Sequence, residues 1–386
     1  MPATSIYRER FELTLAHRDV DRPPMDLAST DMTQIEGGPR VLAPYLEIPA
    51  RGSSADLDEA VLQALDTDIR GVGGVLSPTH SLTRQVSPTQ RVDAWGITSV
   101  FNGHHYEPVG RPLADATIDD LNKYPWPNAD LIDRDEIARL RDRAKYLFEQ
   151  TPYVVCGRHP YYGILELGCW MCGFDDFLYR LAGDQEFVHR FFEIILDYQQ
   201  RVNAIYYGAL GRYLHFTTSG DDFGTQTGPF MSPAMFHELV VPYFARRVSD
   251  MRRYTNAHFF HHSCGSVFEL IPDLIGIGVE ILNPIQPRTT NMEPQKLKDA
   301  YGERLTFWGG VDTQQLLPHG TPAEVWDTTR NLISVLGRNG GYILSAAHCI
   351  QEDVPWENVL AMYRAGIGQG IPTSTPADRR QAIASE

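Results

Sequence analysis

The chain has 386 residues, 42% hydrophobic and 22% charged, with a formal net charge of −15. That length supplies a sizeable core for one large domain or two average ones. The acidic balance argues against nucleic acid and anionic membranes as partners.

Taken in chain order, residues 8–22 read as an amphipathic helix that Arg22-Pro23-Pro24 ends, and Met25–Ala28 follows as a short buried strand. Residues 30–60, rich in Gly, Pro and Ser, read as a surface excursion, and Asp68–Val75 as a second strand. Residues 76–130 hold no strong helix pattern. Asp93-Ala94-Trp95-Gly96 and Tyr124-Pro125-Trp126-Pro127 mark irregular or hairpin structure, an insertion long enough to cover a site. From residue 131 helical patterns (133–150, 173–208, 232–254, 265–277, 293–302, 322–337, 354–368) alternate with short β-rich runs. These runs are Tyr153–Gly157, Tyr213–Thr218, His258–His262, Glu280–Ile285, Leu305–Gly309 and Tyr342–Ala346. With the two early strands they make eight. Alternation of strand and helix implies parallel strands, and eight units over more than 300 residues favour an α/β fold of the (β/α)8 barrel type. The expected organisation is one barrel domain over 1–371, with 76–130 as lid insertion and 372–386 as a loose tail. No run of about 18 apolar residues marks a transmembrane helix, and the polar start lacks a signal-peptide core. Five cysteines without a signal suit reduced thiols in a cytoplasm.

In such a barrel, function sits at the carboxyl ends of the strands. His262 and Cys264 end one strand, and side chains two apart on extended chain share a face. Cys349 ends another. An imidazole and two thiolates make a good zinc set with one position left open, the pattern of a catalytic ion. The alternative is that the cysteines pack as small hydrophobes. Asp221 and Asp222 follow the strand at 213–218 and can bind substrate, orient a ligand or accept a proton, or else cap a loop or helix. Glu166 is a candidate base or fourth ligand. Tyr161, Tyr162, Phe223 and Trp308 are aromatic candidates for a substrate wall, against the alternative of barrel core, with Trp95, Trp126 and Trp170 in or near covering segments. Asn283, Gln286 and His348 are candidates for polar contacts to substrate or to ligands. Asp312 reads as a helix cap. Cys169 and Cys172 form a C-x-x-C read as packing rather than redox chemistry. His258 shares the His262 face, and His261 takes the opposite one.

The segments GDDFGTQTGPFMSP (220–233), HHSCGSVFELIPDLIGIGVEILNPIQP (261–287), LTFWGGVDTQQLLPHGTP (305–322) and GGYILSAAHCIQEDVPWENVLAMY (340–363), with RFELTLAHRDVDRPP near the start, resemble the uroporphyrinogen decarboxylase superfamily over nearly the full length. The closer resemblance is to its cobalamin-linked zinc methyltransferase branch. It implies a (β/α)8 barrel with a zinc site at His262, Cys264 and Cys349. The implied activity moves a methyl group between a small substrate and a corrinoid carried by a partner protein or supplied free. The aromatic candidates favour O-demethylation of a methoxylated aromatic. Methyl transfer to a thiol, a metal-free lyase, and a non-catalytic binding protein are the alternatives. Porphyrinogen decarboxylation itself is disfavoured, because the arginine-rich N-terminal segment of that enzyme is missing and the chain is acidic. No D-x-H-x-x-G corrinoid segment occurs. A homodimer is left open.

Overall fold

The computed structural model describes residues 5–103 and 106–370. The tail expected over 372–386 lies outside them. Two compact units divide the chain: Met1–Gly71, Thr151–Cys156 and Glu280–Glu386 form the first, Val72–Gln150 and Gly157–Val279 the second. The strands in chain order are β1 (Ile69–Val72), β2 (Arg84–Ser87), β3 (Gln90–Val92), β4 (Thr98–Phe101), β5 (Tyr106–Pro108), β6 (Val154–Gly157), β7 (Phe216–Thr217), β8 (His258–His262), β9 (Ile281–Ile285), β10 (Thr306–Val311) and β11 (Tyr342–Ala346).

In the first unit β9, β10 and β11 are parallel neighbours, with Phe307 opposite both Leu282 and Tyr342. Met25 makes a parallel bridge to Leu344 and accepts from Asp68 N at 2.9 Å, so the early strand survives as a single bridge residue. β1 neighbours β6. The buried Asp68 carboxylate fixes this corner. It is ion-paired with Arg10 and Arg22 and accepts from Met25 N at 2.8 Å. Lys298, buried on the helix Pro294–Tyr301, donates to Leu336 O at the end of the helix Pro322–Leu336 and to Gly340 O in the turn after it, each at 2.8 Å. Burial pushes its ammonium down to about 8.

In the second unit β7 and β8 are parallel, with Phe216 opposite His258 and Thr217 opposite Phe259. β2 to β5 form a four-stranded antiparallel sheet in sequence order. One row of residues crosses it: Gln85 pairs with Arg91, Arg91 with Ser99, and Ser99 with Pro108. Directly paired residues point to the same face. Six strand positions in the first unit and two in the second supply the eight parallel positions that the sequence predicts.

Several boundaries differ from expectation for local reasons. The first helix is Ile6–Leu15, and the chain leaves it at Ala16 and His17, where φ is 53°, well before Pro23. The excursion over 30–60 contains the helix Ser54–Ala64, started by a Ser53–Asp56 capping box. The insertion contains a short helix, Ile118–Lys123, started in the same way by Thr117 and Asp120. The pattern over 173–208 is two helices, Phe174–Gly183 and Gln185–Leu210, because Asp184 caps a new start. The pattern over 232–254 breaks between Leu239 and Val241, where Pro242 removes a donor. The pattern over 265–277 starts with a 3-10 turn at Phe268–Leu270 and becomes α-helical only at Ile271, with Pro272 in its first turn. No described helix is long and apolar enough to cross a membrane.

Candidate metal centre

β8 alternates as expected. His262 is nearly buried and shares its face with the half-buried His258. His261 turns the other way into the core, stacked on Phe223 at 5.4 Å and against Phe244 at 4.7 Å. Its Nδ1 lies 3.3 Å from Ser219 Oγ, which also accepts from Arg247 at 2.7 Å. Burial, and then the Arg247 charge, push the His261 imidazole well below the usual histidine range.

Beyond β8 the backbone is held by the loop that follows β7. Phe223 N donates to Ser263 Oγ at 2.9 Å, Cys264 N to Asp222 Oδ1 at 2.8 Å and Ser266 N to Thr225 O at 2.7 Å. Gly265 (φ 87°) and Gly224 touch backbone to backbone; a Cβ on Gly265 would lie 2.5 Å from Gly224 C. These bonds leave Cys264 Sγ 3.4 Å from His262 Nε2, with Asp222 Oδ1 3.7 Å from the same nitrogen. Zinc bonds of about 2.05 Å to nitrogen and about 2.3 Å to sulfur, at a tetrahedral angle, put the two donors roughly 3.5 Å apart. The pair therefore has the spacing to share one ion.

The helix Ile164–Cys172 brings a carboxyl group toward this pair. It begins at Gly163 without a cap of its own. Asp221 supplies the cap from a distance, accepting from Leu165 N at 3.1 Å and Glu166 N at 2.8 Å. Burial pushes Asp221 up to about 7. Burial, then the charges of Asp222 and Asp221, hold Glu166 well above the usual carboxylate range. Two acid groups with raised pKa values thus lie within electrostatic reach of Asp222.

Residues 161–366, more than half of the chain, match the sequence profile of the uroporphyrinogen decarboxylase family. The chain belongs to this family. No curated protein sequence matches it. Among solved structures, a methyltransferase from Methanosarcina mazei aligns over 94% of this chain and 98% of its own, at 16% identity and a TM-score of 0.62. A GH113 β-1,4-mannanase aligns over 79% and 90%, at 10% identity and a TM-score of 0.37. The first likeness is one of fold, and the fold is the (β/α)8 class read from the strand rhythm.

In this family member a cavity of about 710 Å³ lies between the antiparallel sheet and the segment carrying Tyr162 and Trp170. Tyr162 meets Trp170 edge-on at 5.1 Å, and Trp95 forms another wall. Glu166 and Trp170, one turn apart, share a face of their helix. The other aromatic candidates sit in the core. Tyr161 is buried and donates to Asn203 Oδ1 at 2.8 Å, and Asn203 in turn donates to Asp250 at 3.0 Å. Phe223 has no exposed surface and packs on Phe236 at 4.9 Å. Trp308 on β10 is likewise wholly buried.

Within the first unit, Asn283 is buried on β9 before a cis peptide to Pro284, its Nδ2 3.4 Å from Trp308 O. The Gln286 carbonyl accepts from Thr289 N and Oγ1. Asp312 accepts from the amides of Gln314, Gln315 and Leu316, the capping role read for it. His348 and Cys349 follow β11, both half-buried. Cys349 Sγ lies 3.4 Å from Asp31 O, and burial pushes its thiol up. Cys169 and Cys172 are buried free thiols that burial also pushes up, Cys172 to about 12, so neither is poised as a thiolate. Sequence reasoning missed the buried Arg247–Ser219–His261 and Tyr161–Asn203–Asp250 networks, whose members Arg247, Asn203 and Asp250 are scattered singly through helical patterns. It also missed the cavity-facing row of the sheet, whose strands are too short for alternation to register.

Proposed function

We propose that the protein is a zinc-dependent methyltransferase that takes a methyl group from a methoxylated aromatic compound and delivers it to a corrinoid carried by a partner protein. The observation that carries the reading is the 3.4 Å separation of His262 Nε2 and Cys264 Sγ. The fold shared with the Methanosarcina mazei methyltransferase supports the reaction class, and the aromatic walls of the cavity support the substrate class. The same donors also serve transfer to a thiol acceptor; Tyr162 and Trp170 favour the arene.

His262 and Cys264 would be the first two ligands, and a third is proposed from the residues that follow β11. Cys349 is proposed as that donor from its place in the sequence; the neighbouring His348 is the competing choice and the one with ligand-atom geometry in its favour. Bound zinc supplies Lewis-acid polarisation of the ether oxygen. Asp222 holds the Cys264 amide and so sets where the sulfur points. Tyr162 and Trp170 grip the ring. Glu166 holds the proton that the departing oxygen needs once the C–O bond breaks with its electron pair on oxygen, and Asp221 positions Glu166 through its amide. Two measurements test this: metal analysis of the purified chain, and a screen of methoxylated arenes for demethylation with reduced cobalamin. About one zinc per chain together with demethylation of an arene is expected. Absence of zinc under every purification condition ends the proposal.

A further inference from the structure

We propose that the cavity beneath the antiparallel sheet selects aromatic substrates bearing a carboxylate, and that Arg91 reads the carboxylate. The inference deepens the functional reading above and rests on it for the reaction, though not for binding.

Register places Arg91 in the middle of a row, Gln85, Arg91, Ser99 and Pro108, that crosses all four strands; all four residues line the cavity. These four residues, exposed or half-buried, form an open wall of the cavity, and Arg91 lies inside the row. The guanidinium lies over the Tyr106 ring, 3.8 Å from its centroid, which orients its plane. Among the described residues no carboxylate forms an ion pair with Arg91. Arg84 pairs with Val92 and so turns away from the Arg91 row, yet it also lines the cavity; it spends one N–H on Leu82 O and, among the described residues, forms no ion pair. Asp93 is the one carboxylate lining the cavity, and it is already committed. Its Oδ1 accepts from Trp95 N and Ile97 N, each at 2.9 Å, and Arg91 acts on it only at longer range.

In a chain of net charge −15, the cavity lining carries, among the described residues, two arginines and one carboxylate, which already accepts two backbone N–H bonds. Such a site concentrates anions that the rest of the surface repels. Trp95, Trp170 and Tyr162 also line the cavity and suit a flat ring. A planar fork in a cavity that also has aromatic walls matches a planar acid; a point charge would not fix the orientation of one.

The test titrates the full chain with 3-methoxybenzoate and with 3-methoxybenzyl alcohol, a neutral compound of similar shape, followed by tryptophan fluorescence or calorimetry. The wild type is expected to bind the acid about tenfold or more tighter, with the preference shrinking as salt is added. Arg91→Gln abolishes the preference and Arg91→Lys keeps part of it, both with unchanged circular dichroism and zinc content. Equal binding of the two compounds by the wild type overturns the inference. So does a preference that survives in Arg91→Gln or is undiminished in Arg91→Lys. An Arg91-dependent preference without demethylation of any arene sinks the functional reading and leaves this one standing. Equal binding and demethylation of neutral and acidic arenes does the reverse.

Discussion

A Cβ on Gly163 would lie 2.2 Å from Cγ of Asp221, so the carboxylate reaches the start of the helix Ile164–Cys172 only because residue 163 has no side chain. Gly163→Ala must push Asp221 away and leave the amides of Leu165 and Glu166 short of an acceptor. Overpacking of this kind costs about 1–3 kcal/mol. Urea unfolding is the measurement. A loss below a few tenths of a kcal/mol would show that the loop yields freely.

Cys264→Ser and His262→Ala each remove one of two donors that sit at bonding separation, and both are expected to strip zinc from about one per chain to near zero. Inductively coupled plasma analysis after dialysis reads this directly.

The third donor is decided by a pair of variants. Cys349→Ser is expected to lower zinc affinity by at least tenfold, about 1.4 kcal/mol, and His348→Ala to change it less. The opposite ranking in chelator competition would move the ligand by one residue.

Trp170→Ala removes a wall of the cavity without touching the imidazole–thiol pair. Weaker binding of methoxylated arenes at unchanged zinc content is expected. A tenfold or larger rise in Kd for the arene is the expected scale.

Lys298 gives the pH dependence. Its folded pKa of about 8 lies below the ordinary 10.5, so between these values the unfolded chain binds the proton and the folded chain does not. Stability contributed at this site therefore rises with pH across that window. Lys298→Met removes the rise, and at neutral pH it costs about 1–3 kcal/mol, because Leu336 O and Gly340 O lose their donor. Unfolding curves of both proteins between pH 7 and 10 check the sign.

The central strands were legible because their apolar runs are short and bounded by helical patterns. β8 and β11 begin and end where the sequence puts them. Capping boxes at Ser53 and Thr117 were also written in the sequence, but Gly, Pro and Ser around them masked the helices they start. At the candidate site, alternation separates His262 from His261 without any tertiary information. Which aromatics face a cavity was not legible. Tyr161 and Tyr162 are neighbours of one type, yet one is locked to Asn203 in the core and the other lines open space. Only packing from distant segments decides between them. The same holds for Asp221, whose hydrogen-bond partners lie 55 and 56 residues away.

The backbone contact between Gly224 and Gly265 has a consequence for metal exchange. The loops that hold His262 and Cys264 are tied together by main-chain bonds, so under the proposed zinc function the pair would be in place before the metal binds. Recharging a stripped sample should then run at the pace of diffusion and ligand deprotonation, with little entropy lost to ordering the chain.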